Sequence, residues 1–300
     1  MKIAGLDLGT NTFLCLIVET KGSQIKKVLA DEMKVVRLGE GVHKNRVLLP
    51  EALKRAETCL KQFKRVLEKH DVDSVVAVAT SAARDAKNGD ELFALGHKYG
   101  IPISTISGER EAELSFDGIT SDRTRFDGVM GLDIGGGSTE VMSREGRKIK
   151  GVSVDVGAVR LTEMFVSKHP VPPSEKRSLA EFAREKLSVF SHLKPRELIA
   201  AAGTPTTLAA IDLGIKFDSE KIHGHKLTRG RILELVEMLS SQDLESRKKV
   251  TGLDAGRADV IVAGGIILAE TCDIMGVKEV TVSVRGIRYG VVLAVARGEL

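Results

Sequence analysis

One short unit occurs twice in the sequence, and this repeat constrains the fold more than any other feature. Lys2–Val18 contains D-L-G-T-N-T between two apolar runs, and Gly128–Met142 contains D-I-G-G-G-S-T between two more. In both places an apolar strand delivers an aspartate, Asp7 or Asp133, to a glycine turn from which a second apolar strand leaves. Because a unit that recurs at a domain-sized spacing indicates a duplicated architecture, the repeat predicts two similar lobes.

The residues of the two turns suit the binding of phosphate. Glycines such as Gly136 and Gly137 allow backbone amides to approach an anion closely, and the hydroxyl of Ser138 adds a donor. An aspartate beside such a loop repels phosphate unless a cation lies between them, so the pattern predicts Mg²⁺, with Mn²⁺ as the alternative metal. In the other interpretation the glycines do no more than turn a β-hairpin.

Composition limits the class of protein and its partners. The 300 residues suffice for two domains, and the 42% hydrophobic and 29% charged fractions are those of a soluble globular protein. A formal net charge of +4 favours anionic ligands, but aromatic residues make up only 4%, too few for the surfaces on which single-stranded nucleic acid stacks. We therefore expect no nucleic-acid partner.

Three further features predict a cytoplasmic protein without a membrane partner. Cys15, Cys59 and Cys272 form no CxxC pair, as expected of free thiols in a reducing compartment. Asp7 interrupts the first apolar run, which therefore does not resemble the apolar region of a signal peptide. The apolar stretch Val260–Ala269 is shorter than the roughly 20 residues that cross a bilayer.

Hydrophobic periodicity predicts an α/β protein with two strand-rich halves. The predicted strands are Ile3–Leu8, Phe13–Glu19, Gln24–Ala30, Val75–Thr80, Ile103–Ser107, Val129–Ile134, Glu140–Arg144, Lys148–Val156, Leu198–Ala202 and Glu279–Val284. Helices are predicted from Pro50, over Gly89–Tyr99, from Gly157, along the stripe Leu179–Phe190, after the Gly203 turn, over Arg229–Leu239 and Arg257–Asp273, and near the end of the chain.

The helix that begins at Pro50 carries basic residues on the face opposite its apolar stripe. They are Lys54, Arg55, Lys61, Lys64, Arg65 and Lys69. A solvated helix face is the simpler interpretation of this row, and a track for a polyanion is the alternative.

Two charged residues lie at the starts of predicted helices. Arg84 follows the strand that ends at Thr80, where a guanidinium and a helix N-terminus together suit a phosphate, although an ordinary surface charge is an equal alternative. Glu111 lies in an acidic first turn after Ser107, where carboxylates complement the helix dipole. In the alternative interpretation Glu111 acts as a general base on a water molecule.

These segments occur in the same order in the exopolyphosphatase/guanosine pentaphosphate phosphohydrolase (Ppx/GppA) family, which the sequence resembles over essentially its whole length. The shared segments are D-L-G-T-N-T, A-T-S-A-A-R-D-A, I-S-G-E-R-E-A-E-L-S-F-D-G, D-I-G-G-G-S-T-E, G-A-V-R-L-T-E-M-F and R-A-D-V-I-V-A-G-G. D-I-G-G-G-S-T-E with S-G-x-x-E-A is the specific combination, because D-L-G-T alone fits many members of the wider actin-like ATPase superfamily. The resemblance implies an α/β fold with two ribonuclease-H-like lobes, residues 1–120 and 121–300, separated by a cleft, with the last helix packed back on the first lobe.

The resemblance also implies roles for individual residues. Glu111 matches the family's catalytic base, and Glu140 matches the acidic residue that helps to place the water or the metal. Asp7 and Asp133 match the aspartates that face Mg²⁺. The positions that resemble phosphate contacts are Thr10, Asn11, Arg84, Gly136, Gly137 and Ser138.

The sequence departs from the family pattern in three places. Tyr289 stands in G-I-R-Y-G where the family often has the glutamate of G-L-R-E-G. The turn at Gly203 reads A-A-G-T-P-T-T-L without a fuller G-G-T run, which weakens the case for nucleotide-base contacts there. Long family members continue into a C-terminal helical module, so we expect this shorter form to grip long polyphosphate chains less processively.

Together the residues and the resemblance predict a cytoplasmic exopolyphosphatase. It would hydrolyse the terminal phosphoanhydride of inorganic polyphosphate, with water activated by a glutamate and with assistance from Mg²⁺. Guanosine pentaphosphate (pppGpp) 5′-phosphohydrolase activity is the alternative, and a non-catalytic alarmone or polyphosphate sensor is a third. Glu111 and Glu140 argue against the sensor, because a pure binder needs no base. We also expect a symmetric homodimer.

Overall fold

A computed structural model describes residues 1–146 and 148–300. In these residues the strands are β1 (Lys2–Leu8), β2 (Thr12–Lys21), β3 (Gln24–Val35), β4 (Ser74–Ala79), β5 (Ile103–Thr105), β6 (Val129–Ile134), β7 (Thr139–Glu145), β8 (Lys148–Val154), β9 (Glu197–Ala201), β10 (Lys226–Thr228) and β11 (Glu279–Val282). The helices are α1 (Val42–Asn45), α2 (Pro50–His70), α3 (Ser81–Asp85), α4 (Gly89–Lys98), α5 (Gly108–Ile119), α6 (Ala158–Phe165), α7 (Pro173–Leu187), α8 (Gly203–Leu213), α9 (Ser219–Ile222), α10 (Arg229–Ser240), α11 (Leu244–Arg247), α12 (Ile261–Met275) and α13 (Ile287–Ala296).

These elements divide into two compact units, each built on one sheet. The first unit consists of Met1–Ser121 together with Gly286–Leu300, and the second of Asp122–Arg285. Helix α13 therefore belongs to the first unit, although it is the last helix in the chain.

The sheet of the first unit has the strand order β3-β2-β1-β4-β5. β1, β2 and β3 form an antiparallel meander, and β4 and β5 run parallel to β1. Because successive side chains of a strand point to opposite faces, β1 and β2 supply two cores. Leu6 and Phe13 pack with Phe63 of α2 on one face, and Leu16 packs with Val292 of α13 on the other.

The sheet of the second unit repeats this arrangement and adds one edge strand. Its order is β10-β11-β9-β6-β7-β8, with β6, β7 and β8 antiparallel and with β9 and β11 parallel to β6. Without β10, the order and directions match those of the first sheet. Both units therefore have the ribonuclease-H-like topology, and the fold class predicted from the sequence is confirmed.

Most predicted elements are present, and the differences have local causes. The helix predicted to begin at Arg257 begins at Ile261, because Asp254 accepts a hydrogen bond from the Gly256 amide at 2.8 Å and closes a separate 3₁₀ turn. Strand β10 was not predicted, since three residues are too few to show an alternating pattern. Within residues 1–146 and 148–300, every helix is too short or too polar to cross a bilayer.

Candidate functional site

The glycine turn between β6 and β7 rests on the start of helix α6. The carbonyl oxygen of Gly135 accepts a hydrogen bond from the amide of Ala158 at 3.0 Å, and that of Gly136 accepts one from the amide of Val159 at 2.9 Å. The first amides of a helix have no partner within the helix, so here the turn satisfies them. The N-terminus of α6 therefore supports the turn and is not itself an anion site.

The third carbonyl of the turn is held by a side chain. Arg160 donates from Nε to the carbonyl oxygen of Gly137 at 2.8 Å. In a trans peptide the C=O and N–H bonds point in opposite directions, so the amides of Gly136, Gly137 and Ser138 face away from α6. The part of the chain that the structure describes assigns no acceptor to the amides of Gly136 and Gly137. Adjacent amides that point the same way form an anion-binding concavity.

Gly157 permits the close packing of α6 against this turn. A Cβ atom at this position would lie 2.4 Å from the carbonyl carbon of Gly136 and 2.5 Å from that of Gly137. Its φ of −138° is open to any residue. The requirement for glycine therefore comes from the approach of the turn and not from the backbone conformation.

The turn between β1 and β2 is supported in the same manner by other residues. The carbonyl oxygen of Thr10 accepts from the amide of Gly39 at 2.8 Å. That of Asn11 accepts from the amides of Val36 and Arg37 at 2.9 and 2.8 Å. The peptide amides on the opposite side of these carbonyls, including that of Asn11, thus face away from the supporting segment.

The two turns are equivalent in detail. Gly9 donates from its amide to the carbonyl oxygen of Thr12 at 3.1 Å, and Gly135 donates to that of Ser138 at 2.9 Å. Both bonds span three residues and follow an aspartate-bearing strand. The sequence repeat is therefore a repeat of turn geometry as well.

Side chains of the first turn add polar groups beside these amides. The Oγ1 of Thr10 lies 2.8 Å from the Oγ of Ser81, which links the turn to the start of α3. Asn11 is 8% exposed, and its Nδ2 has no hydrogen-bond partner among the described residues. Because buried polar groups are nearly always paired, this amide indicates a place for a polar ligand or a water molecule.

Arg84 and Glu111, both predicted from the sequence, are brought together in the first unit. Nη1 of Arg84 donates to Oε2 of Glu111 at 2.9 Å and to the carbonyl oxygen of Ile106 at 2.9 Å. Glu111 is 7% exposed and lies in the first turn of α5, which Ser107 caps. The Nε and Nη2 atoms of Arg84 have no partner in residues 1–146 and 148–300. One guanidinium thus contacts a carboxylate and keeps donors for an anion.

Asp133 and Glu140 form a carboxylate pair in the second unit. They lie directly opposite each other in the register of β6 and β7, so their side chains share one face of the sheet. Both are buried, and the Oγ of Ser153 on β8 donates to Oε1 of Glu140 at 2.6 Å. Like charges directly opposite destabilise a sheet, so a pair of this kind is stabilised by hydrogen-bond donors such as Ser153 or by a cation.

The donor chemistry fits Mg²⁺ better than a metal with an all-protein ligand set. The described residues contain no group of three or more His, Cys, Asp or Glu side chains placed to hold a metal ion. Mg²⁺ does not need such a group, because one or two carboxylates with substrate phosphates and waters suffice. Asp7 and Asp133, each two residues before the first glycine of its turn, are carboxylates of this kind.

Tyr289, where the family often has glutamate, belongs to the core of the first unit. It is buried and packs with Ile3 and Leu16. Its neighbour Arg288 donates from Nε and Nη2 to both carboxylate oxygens of Asp31 at 2.8 and 2.9 Å. Burial alone would lower the pKa of Arg288, but the charge and hydrogen bonds of Asp31, together with Tyr289 and Asp7, raise the pKa overall. The substitution therefore adds apolar packing beside the buried end of an ion pair, that of Arg288.

The turn at Gly203 in the second unit has an unusual backbone. Ala202 has φ 72° and ψ −168°, a region that is essentially restricted to glycine. The guanidinium of Arg257 lies directly against Gly203. A Cβ atom at position 203 would overlap Nη1 of Arg257, so this position requires glycine.

Sequence reasoning missed several residues that position the turns. Gly157 and Arg160 lie in G-A-V-R-L-T-E-M-F, which marked a family segment but indicated no role for either. Ser153 showed no sequence signal, and Ser81 was expected only at the start of a helix, as its cap or beside an anion. A glycine directly before a helix, with arginine three residues later, is the one local pattern that could have indicated the turn support.

The fold and these turns define the class of protein. The two units share the ribonuclease-H-like topology, and in each of them an aspartate strand turns through a loop of outward-facing amides. The sequence profile of the Ppx/GppA phosphatase family matches residues 16–298, and the chain belongs to this family. Its members are hydrolases that act on phosphoanhydride bonds, so the protein is an enzyme of that class.

Individual relatives agree with this assignment. Exopolyphosphatase 2 of Mycobacterium tuberculosis is 32% identical over 314 residues, which cover 98% of each chain. A bifunctional 3-dehydroquinate synthase/phosphatase of Fusobacterium nucleatum is 34% identical over 306 residues, and this chain spans 46% of its length. The crystal structure of an exopolyphosphatase from Cytophaga hutchinsonii superposes with a TM-score of 0.88 at 28% identity, covering 99% of this chain and 98% of that one. The resemblance stated from the motifs is confirmed.

Proposed function

We propose that this protein is an exopolyphosphatase that removes terminal orthophosphate from inorganic polyphosphate, with Glu111 as the general base. The pair formed by Arg84 and Glu111 carries the proposal. Arg84 contacts the carboxylate through Nη1 alone, so Nε and Nη2 are available for a phosphoryl group. A phosphate on those two nitrogens lies beside the base, where an attacking water must lose its proton.

The turns supply donors for the charge that develops on the phosphoryl oxygens. In the second unit these are the amides of Gly136, Gly137 and Ser138, and in the first unit they are Thr10 and Asn11. Their carbonyl groups are tied down on the far side, so the amides need no reorganisation during the reaction. Fixed donors of this kind stabilise a transition state more than mobile ones do.

The proposal includes Mg²⁺, with Mn²⁺ as the alternative, and Asp7 and Asp133 as its carboxylate ligands. When bound, the cation neutralises charge on the substrate phosphates. Ser153 orients Glu140 through the 2.6 Å hydrogen bond, and we assign to this carboxylate the placing of the water molecule or of the metal. Cys15, Cys59 and Cys272 are buried free thiols, and we place the enzyme in the cytoplasm on that basis.

Hydrolysis of pppGpp is a second candidate, and the backbone of the turn at Gly203 favours it, whereas the sequence of that turn does not. Strained backbone such as that of Ala202 clusters at ligand sites, and the guanidinium of Arg257 lies against the same turn. The same base and donors serve both reactions. A polyphosphate or alarmone sensor without catalysis is the remaining alternative.

The test compares phosphate release from long polyphosphate and from pppGpp, with Mg²⁺, with EDTA, and after Mn²⁺ is added back. Glu111→Gln is the decisive variant, and Glu109→Gln is its matched control because Glu109 is exposed in the same helical turn. We expect faster release from polyphosphate, loss with EDTA, and a fall of about 100-fold or more in Glu111→Gln with binding retained.

Other outcomes select the other candidates. Faster release from pppGpp would make the nucleotide the substrate, and no release from either compound would favour a sensor. Unchanged turnover in Glu111→Gln would remove Glu111 from the role of base.

A further inference from the structure

A surface pocket of about 490 Å³ in the first unit contains none of the residues placed in the proposed reaction. It lies between the end of the edge strand β3 and the first half of helix α2. Lys34 comes from the strand, and Lys54, Arg55 and Gln62 come from the helix. Val36 and Cys59, both buried, also line the pocket.

Positive charge in this pocket exceeds negative charge. Lys34, Lys54 and Arg55 line it together with one carboxylate, that of Glu51. Arg55 is paired with Glu40 at 2.7 Å. The ammonium groups of Lys34 and Lys54 form no hydrogen bond or ion pair within residues 1–146 and 148–300. A concave surface lined by unneutralised cations concentrates anions.

We propose that this pocket binds an inorganic oligophosphate of two or three phosphoryl groups, at a site separate from the reaction. Several negative charges on a small ligand match the two lysines and the arginine, since ammonium and guanidinium groups both form strong bonds with phosphate. Thr58 adds a hydroxyl. Among the described lining residues there is no aromatic ring to stack on a nucleotide base, which favours an inorganic anion.

Arg55 connects this pocket to the first turn through hydrogen bonds. Its Nε donates to the carbonyl oxygen of Val36 at 2.7 Å, and its Nη2 donates to that of Arg37 at 3.0 Å. The amides of Val36 and Arg37 in turn hold the carbonyl oxygen of Asn11. An anion that draws Arg55 away from these carbonyls loosens the support of the turn. This consequence rests on the proposed function, whereas binding in the pocket does not.

Binding is tested with one fluorescent reporter, because the chain has no tryptophan. Gln62→Trp places an indole at the pocket, and methylenediphosphonate serves as the probe because its P–C–P link resists hydrolysis. We expect a saturable fluorescence change whose apparent Kd rises about tenfold or more in Lys34→Glu/Lys54→Glu. Lys61→Glu/Lys69→Glu changes the net charge equally on exposed positions of α2 outside the pocket lining, and its Kd should stay within about twofold of the parent.

Three results would overturn the proposed site. The first is a fluorescence change that does not saturate with methylenediphosphonate, and the second is an equal rise of the apparent Kd in both double variants. The third is binding of GDP without binding of methylenediphosphonate, which would assign the pocket to nucleotides. Calorimetry on the chain without the tryptophan gives an independent check. It should detect one binding event that Lys34→Glu/Lys54→Glu lacks.

The connection to the turn is tested by kinetics. Phosphate release from tripolyphosphate should fall at high substrate concentration, and Lys34→Glu/Lys54→Glu should abolish that fall. A monotonic saturation curve in the unmodified chain would overturn the coupling. A protein with no activity on any oligophosphate would contradict the proposed function, and the fluorescence result would then still decide whether the pocket binds.

Discussion

Arg160 holds two successive carbonyl groups of the glycine turn, since its Nε donates to Gly137 at 2.8 Å and its backbone amide donates to Gly136 at 3.0 Å. One residue thus fixes the orientation of the peptides on which the outward-facing amides depend. Its side chain does not need to touch a substrate to affect the reaction. Arg160 is therefore a positioning residue, and its effect should appear in turnover more than in substrate affinity.

Replacing Arg160 should lower kcat with little change in KM. Arg160→Gln removes a charge-assisted hydrogen bond that is worth about 1.5–3 kcal/mol, so we expect kcat to fall about 10–100-fold. Arg160→Lys should restore part of this loss, because an ammonium reaches the same carbonyl without the planar fork. Steady-state kinetics with Arg177→Gln, an exposed arginine of the same unit, provide the comparison. Equal kcat in all three variants would show that the turn keeps its conformation without the side chain of Arg160.

The sequence predicted both turns and every described strand except β10, because each of these depends on local pattern. Val129–Ile134 is a strand with the bounds that its apolar run indicated, and the turn after Asp133 follows from three glycines. The pairing of Arg84 with Glu111 was not predictable, because 27 positions separate them and only the sheet brings their segments together. The role of Tyr289 was not predictable either, because its burial beside Ile3 depends on where helix α13 packs.

Gly157→Ala should displace the glycine turn and reduce kcat/KM. The added Cβ would lie 2.4 Å from Gly136, and relief of this overlap must move backbone atoms on one side or the other. Misplacement of about 1 Å can cost roughly 100-fold in rate. Gly230→Ala is the control, because the same methyl group there meets no atom within 4 Å. If the two variants had the same kcat/KM, the packing of α6 would not determine the turn.

His169 should make unfolding pH-dependent. Its pKa is lowered from 6.5 by burial and then by the charge of Arg247, while Asp259 and Glu175 act weakly in the opposite direction. Arg247 Nη1 lies 3.2 Å from Nδ1 of His169 and can only donate, so Nδ1 must be unprotonated. The unfolded chain binds a proton more readily than the folded one, so stability is lost as pH falls below 6.5.

The measurement for His169 is the free energy of unfolding by urea between about pH 7.5 and about pH 5.5, the range in which histidine titrates. His169→Gln keeps an acceptor for Arg247 and should flatten the decline toward acid pH. His192→Gln, at an exposed position, should leave the slope as it is in the parent. A slope that His169→Gln does not change would mean that other groups cause the acid sensitivity.

Ala202→Gly should stabilise the protein. Ala202 adopts φ 72° and ψ −168°, which costs a residue with a Cβ about 1–3 kcal/mol and costs glycine nothing. Glycine is more flexible than alanine in the unfolded chain, and this entropy offsets about 0.5–1 kcal/mol of the stabilisation. The net gain should raise Tm by a few degrees, since about 1 kcal/mol corresponds to roughly 2–4 °C in chains of this size. Ala201→Gly is the matched control, because Ala201 lies in regular strand β9 and should lose stability. Equal losses in both variants would show that the surrounding turn, and not the Cβ of Ala202, determines the strain.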